Sequence, residues 1–144
     1  MKNLCVYADK KYLVEKKNIH ELVKNLANSL NFLVQSLDIN IINSKKLLKV
    51  NVDYLGHNYD TDIITFNYSD KINILNGELL ISYEMAVENA KRFNCSLNSE
   101  LVRLIIHGIL HMSGFDDMNN EDRKKMKRKE NKLVKLFESI VILK

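Results

Sequence analysis

The stretch from His107 to Asp117, reading HGILHMSGFDD, limits what this chain can become more than any other part of it. Leu101, Leu104, Ile105 and Ile106 lead into it at helical spacing, so His107 and His111 fall one turn apart on an apolar helix. Residues four apart on a helix lie on one face, with Cβ atoms roughly 5–6 Å apart. Unpaired imidazoles in an apolar setting are costly, whereas two of them on one face can bind a single metal ion. Gly114 can then take a left-handed conformation without a Cβ penalty, ending the helix and reversing the chain. The reversal carries Phe115-Asp116-Asp117 back towards the histidines and adds a carboxylate to two nitrogens. The prediction is a metal site at the end of a long helix, with His107, His111 and Asp117 as ligands. Asp116 is the rival acid, with a turn or capping role as its alternative.

The rest of the chain supplies a domain to carry that site. Its 144 residues suit one domain, 1–144, with a core of its own. Hydrophobic content of 46% beside 28% charged residues fits a soluble globular protein rather than a disordered or membrane one. No apolar run approaches the ~18–20 residues of a bilayer span, so no membrane partner is expected. The opening MKNLCVYADKK lacks an apolar stretch of signal-peptide length. Cys5 and Cys95 make no disulfide framework and read as small buried residues. Together these point to the cytoplasm. The net charge of +4 leans weakly towards polyanionic partners such as nucleic acid.

Periodicity gives an α+β plan: one mixed sheet of roughly four strands packed by about five helices. Leu4 to Tyr7 reads as a strand. Asn18 is a candidate cap for a helix through Ile19, Leu22, Val23, Leu26 and Leu30. Leu37 to Ile42 is a second strand, and Ser44 a candidate cap for a helix ending at Gly56. Thr61 to Tyr68 and Leu75 to Ser82 form an antiparallel hairpin across Ser69-Asp70-Lys71, with Gly77 marking a bulge or a close backbone approach. Helices follow from Tyr83 to Phe93, from Ser96 through the histidines, and from an Asn120 cap through Glu121 to about Glu138.

The histidine pair is close to the H-E-x-x-H pattern of zinc hydrolases, but Gly108 occupies the glutamate position. In those peptidases the glutamate takes the proton from zinc-bound water. A zincin-like metallopeptidase therefore lacks its general base here. HGILHMSGFDD instead resembles the H-G-x-L-H-x-x-G-Y/F-D-H signature of the YbeY family, bacterial metal-dependent endoribonucleases of ribosomal RNA maturation. Residues 49 to 66, KVNVDYLGHNYDTDIITF, are similar to that family's N-x-x-Y-R/L-x-x-x-x-x-T-D/N-V/I-L/I-S/T-F segment. Asn51, Tyr54, Thr61, Asp62 and Phe66 fall in matching places, Gly77-Glu78 stands where the family has Gly-Asp, and Met126 with Glu130 matches its last helix.

Two departures bear on chemistry. The family's third ligand is usually a histidine, and here Asp117 stands there; a carboxylate ligates zinc at about 2.0–2.2 Å. It also cancels one unit of metal charge, so bound water is acidified less, which lowers the expected activity or raises its pH optimum. Leu55 replaces an arginine thought to meet the RNA backbone. His57 can substitute in part, by donating to phosphate or shuttling a proton, and its other reading is a surface loop histidine. His20 receives no role.

The resemblance implies zinc-dependent cleavage of phosphodiesters in single-stranded or ribosomal RNA. It also implies contact with the small ribosomal subunit and its assembly factors. A metal in such a site polarises a phosphoryl oxygen and acidifies bound water, and the RNA 2′-OH is a second possible nucleophile. Asp116, His57 and metal-bound hydroxide itself are the candidate proton acceptors. The last helix, with Arg123, Lys124, Lys125, Lys127, Arg128, Lys129, Lys132 and Lys135, is the expected source of electrostatic attraction, or else simply a solvated face. Glu130 shares the inward stripe of Met126, Leu133, Val134 and Phe137, as a partner for a ligand histidine or a basic residue. Gly108 and Gly114 are read as openings for close backbone approach to the metal. The competing class is a non-catalytic ribosome-assembly factor with a structural metal. A non-haem iron oxygenase, which shares the two-histidine, one-carboxylate ligand set, lacks its double-stranded β-helix pattern here.

Overall fold

In the computed structural model, which describes residues 1–144, nine elements follow one another. They are β1 (Leu4–Ala8), α1 (Lys16–Leu30), β2 (Leu33–Ile42), α2 (Ser44–Leu55), β3 (Ile63–Asn67), β4 (Ile74–Ser82), α3 (Tyr83–Arg92), α4 (Leu97–Met112) and α5 (Asn120–Phe137). The four strands form one sheet in the order β1-β2-β4-β3. β1 and β4 pair parallel to β2, and β3 pairs antiparallel to β4. The mixed α+β plan is therefore the one the periodicity predicts, including the hairpin.

Strand alternation decides which sheet face is covered. Leu37, Ile39 and Ile41 of β2 stand opposite Gly77, Leu79 and Ile81 of β4 and are fully buried. Side chains two apart point the same way, so these rows make one apolar face. Ile19, Leu22, Val23 and Leu26 of α1 join them in the core, as do Leu101, Ile105, Ile106 and Ile109 of α4. Helix α4 is thus a core element, and its histidines are held where the sheet holds the helix. Its approach is set by two glycines. A Cβ on Gly108 would meet Leu79 Cδ2 at 2.6 Å and Ile63 Cδ1 at 3.1 Å, and one on Gly77 would run into the Phe66 carbonyl oxygen and the Met112 methyl. Gly108 therefore lets α4 settle onto β3 and β4 and does not open the metal site. Gly77 marks a close backbone approach, and the irregularity in this pairing lies on β2 between Val34 and Ser36.

Several boundaries differ from the sequence expectation by a residue or more. Glu15 precedes α1, which starts at Lys16, while Asn18 donates its side-chain N–H to the Val141 carbonyl at 2.6 Å. Asn43 caps α2 by accepting the Lys46 N–H at 2.8 Å, and the Ser44 N–H goes to Glu84 at 2.6 Å. Asn119, not Asn120, caps α5. Where two cap-competent residues adjoin, side-chain preference cannot choose between them. Strand β2 begins four residues before Leu37, because Leu33 and Val34 find partners in Ile74 and Leu75. Cys5 is exposed and Cys95 half-buried, so the expectation of two buried thiols fails; both are free. No helix is long and apolar enough to cross a membrane.

The C-terminus is tied to the start of α4. Asn98 donates to the carbonyls of Glu138 and Ile140 and accepts the N–H of Ile142 and Leu143. This anchors α5 across α4 and brings Glu130 against the histidine helix.

Candidate metal centre

Helix α4 carries a polar stripe within its apolar surface: Glu100, Arg103, His107 and His111, each three or four residues from the next. The His107 Nδ1–H donates to Glu130 Oε1 at 2.6 Å. That bond places the proton on Nδ1 and leaves the Nε2 lone pair free, as a ligand imidazole requires. His107 Nε2 lies 3.2 Å from His111 Nε2, and His111 Nε2 lies 3.6 Å from Asp117 Oδ2. One ligand atom from each of the three falls within 4.8 Å of the others. Two nitrogens at about 2.0–2.1 Å from a tetrahedral ion are themselves ~3.3 Å apart, so the imidazole spacing fits a shared ion. The rings meet at 80°, turning both Nε2 atoms to a common point. Burial lowers the His111 pKa, His107 lowers it further, and Asp117 partly offsets them. The neutral imidazole so favoured is the form that ligates.

Asp117 reaches the histidines because the chain reverses at Gly114, whose φ of +95° is in the glycine region. Its side chain is 45% exposed, so the ligand set is rooted in the core at one end and open at the other. Asp116 in the same turn accepts the Met118 N–H at 3.0 Å and is not one of the three clustered groups. His57 lies in the exposed segment after α2, stacked on Tyr59 with ring centroids 5.2 Å apart and bonded to its hydroxyl at 3.0 Å. It does not border the clefts on either side of His107. Leu55, the last residue of α2, is exposed. His20 meets the N-terminal amine at 3.3 Å.

Glu130 is the hub behind the ligands. It is 3% exposed and accepts hydrogen bonds from His107, from Arg103 at 2.9 Å and from Lys127 at 2.9 Å. Burial alone would raise its pKa, but the bonds from His107 and Lys127 prevail and hold it down at about 2. Arg103 also reaches Asn131 and lies 3.7 Å from Glu100. Glu100 is buried too, with Oε2 accepting from Asn89 at 3.2 Å and Oε1 without a hydrogen-bond partner. Burial pushes its carboxyl pKa up. Asn89 in turn donates to Asp62 at 2.9 Å. A polar chain thus runs from Asp62 through Asn89, Glu100, Arg103 and Glu130 to His107. It lines a chamber of about 460 Å³.

Arg103, Glu100 and Asn89 are site residues to which the sequence alone assigns no site role. The first two had a signal, since they continue the face of His107 on an otherwise apolar helix. Asn89 had none. Glu130 had both its stripe position and its neighbours. Asn51 and Tyr54 also find local roles. The buried Asn51 donates to the Tyr59 carbonyl at 2.9 Å, pinning the segment after α2, and Tyr54 meets Phe66 edge-on at 6.1 Å.

With that geometry established, comparison with known proteins is informative. The family model described as Endoribonuclease YbeY matches residues 6–138. A Chlorobium phaeobacteroides protein named Endoribonuclease YbeY is 38% identical over 117 residues, 81% of this chain and 82% of that one. Its namesake in Bacteroides thetaiotaomicron is 39% identical over 119 residues, covering 83% and 86%. Among solved structures, a Thermotoga maritima protein determined in solution superposes with a TM-score of 0.65 at 23% identity, over 92% of this chain and 87% of that one. At that identity the match speaks for the fold.

Proposed function

The chain belongs to the Endoribonuclease YbeY family, and on that premise we propose that it is a zinc-dependent, cytoplasmic endoribonuclease of ribosomal RNA maturation, selective for single strands. The observation that carries the reading is the donor set: two imidazoles and one carboxylate converge, and no fourth His, Cys, Asp or Glu joins them. Structural zinc sites are closed by four protein ligands, whereas catalytic ones use three and keep a position for water or substrate. Bound there, zinc would supply Lewis acidity towards a phosphoryl oxygen and a more acidic water.

The chain's own groups do the rest. Glu130 keeps the His107 proton on Nδ1 and fixes the ring. The core around α4 holds the histidines in place, and Gly114 lets Asp117 complete the set. Thr65 and Asn67 of β3 border the cleft over His107 and His111 and offer a hydroxyl and an amide to the substrate backbone. Of the two side-chain proton acceptors, Asp116 adjoins the Asp117 carboxylate in the same turn, while His57 is engaged with Tyr59; we assign the proton to Asp116. The small ribosomal subunit and its assembly factors are the partners this reading entails.

Cleavage of an unstructured RNA tests it, using wild type, His111→Ala and Asp117→Ala, with chelator and zinc re-addition as arms. Loss of cleavage in both variants and on chelation, with recovery of wild type on zinc, is the expected pattern. Equal cleavage by all three proteins would assign the activity to a contaminant.

A further inference from the structure

Helix α5 carries eight Lys or Arg against three Asp or Glu, a net of five positive charges. The whole chain has a net charge of +4, so everything outside α5 is slightly acidic. The net positive charge of the chain therefore resides on this one helix, which makes it the strongest single source of attraction for a polyanion. Its eight cations are not equivalent. Lys127 is paired with Glu130, and Arg123 reaches the Asp117 carbonyl and the Asn120 side chain. Lys125, Arg128, Lys129 and Lys132 stand at i, i+3, i+4 and i+7, hence on one face. None of these four makes an ion pair or a side-chain hydrogen bond. With Phe115 they line a groove of about 350 Å³ that contains no carboxylate. Phe115 is half-buried in the turn between His111 and Asp117. The groove therefore starts where the ligand set ends.

We propose that this groove is a subsite for the RNA strand flanking the scissile phosphodiester: Lys125, Arg128, Lys129 and Lys132 neutralise phosphates, and the Phe115 ring stacks one unpaired base. The proposal rests on the endoribonuclease reading above. An extended row of unpaired cations beside an aromatic ring is the combination that tracks single-stranded nucleic acid, because every base has a face to stack and every phosphate a charge to meet. An acidic protein surface would satisfy the cations, but a single strand offers a planar face with every phosphate and so matches both features at once. The stacked base is also what prefers a single strand, since a duplex keeps its faces covered. Lys124 and Lys135 do not border the groove and contribute only to the general field.

The test is fluorescence anisotropy with a labelled 2′-O-methyl oligouridylate dodecamer, titrated with the zinc-loaded full chain over a range of salt. Lys129→Gln/Lys132→Gln should lower the slope of log affinity against log salt by about 1.4, two phosphates at about 0.7 each for a single strand. Lys124→Gln/Lys135→Gln should lower it clearly less. Phe115→Leu, which keeps an apolar side chain, should weaken binding at least about fivefold without changing the slope. Its zinc content, measured in parallel, should equal that of wild type. Equal slope losses for the two lysine pairs would overturn the subsite in favour of a diffuse field, and so would full affinity in Phe115→Leu. If the dodecamer binds normally to Lys129→Gln/Lys132→Gln and unstructured RNA is still cut, the nuclease reading stands and the subsite falls. If wild type neither binds the dodecamer nor cuts RNA, both fall.

Discussion

On the side of α5 that faces α4, Lys127 and Arg103 each end 2.9 Å from the buried Glu130. On the side that borders Phe115, four cations face a groove with no acid in it. Both sides are rich in Lys and Arg, and composition does not distinguish them. What differs is whether a buried carboxylate is within reach. Where it is, the cations are committed: they hold Glu130 ionised, and Glu130 orients His107. Where it is not, the cations keep their full long-range attraction for a polyanion. The same residue types thus position a candidate metal ligand on one side and are free to meet a polyanion on the other.

The comparison breaks most visibly if Glu130 is removed. Glu130→Ala should destabilise the fold by about 2–3 kcal/mol, because it leaves the half-buried Arg103 guanidinium and His107 N–H without their acceptor. Thermal or urea unfolding measures this. A loss below 1 kcal/mol would mean that Glu130 is not the hub. Acid titration sharpens the point. The Glu130 pKa is depressed to about 2 in the fold, so the unfolded chain binds the proton more readily. Its contribution, on the order of 3 kcal/mol, is then complete above about pH 4.5 and is lost as pH falls towards 2. Glu130→Gln should remove that part of the acid sensitivity, and an unchanged acid profile would contradict the assignment.

Glu100 supplies a second buried carboxylate in the same chamber, shifted the other way. Its pKa is raised by burial, so the fold binds the proton more readily and loses stability as pH rises through the interval between unfolded and folded values. Glu100→Gln should therefore stabilise the protein at neutral pH, seen as a higher melting temperature. Lower stability would show that the ionised form is the one the fold uses. The smallest effect belongs to the outer face: Lys129→Gln/Lys132→Gln should change unfolding free energy by no more than about 0.5 kcal/mol, while changing RNA binding markedly. Comparable stability losses for Glu130→Ala and this pair would erase the distinction between the two sides.

Much of this was legible in the residues and some was not, for physical reasons. Period-2 and period-3.6 apolar patterns report burial directly, so strands such as β4 and helices such as α4 were readable. So was the ligand turn, since His107, His111 and Gly114 encode their geometry within eight residues. Glu130 could be placed inward from its stripe, but its three donors come from two helices and only packing brings them together. The role of Gly108 is not legible locally, because its missing Cβ faces Leu79 and Ile63, which are distant in sequence. His57 has suitable chemistry, but its stack on Tyr59 and the bond to that hydroxyl hold it away from the histidine pair, whereas Asp116 gives only one carboxylate oxygen to the Met118 N–H. Helix caps slipped by one residue where Asn43 and Ser44, or Asn119 and Asn120, compete for the same N–H groups.

The proposed function turns on whether His107, His111 and Asp117 hold one ion. Metal analysis of the purified protein beside His111→Ala, after equilibration with limiting zinc and gel filtration, addresses it directly. The account predicts close to one zinc per wild-type chain and little in the variant, with both proteins folded. Equal zinc in the two, or none in wild type, would contradict it.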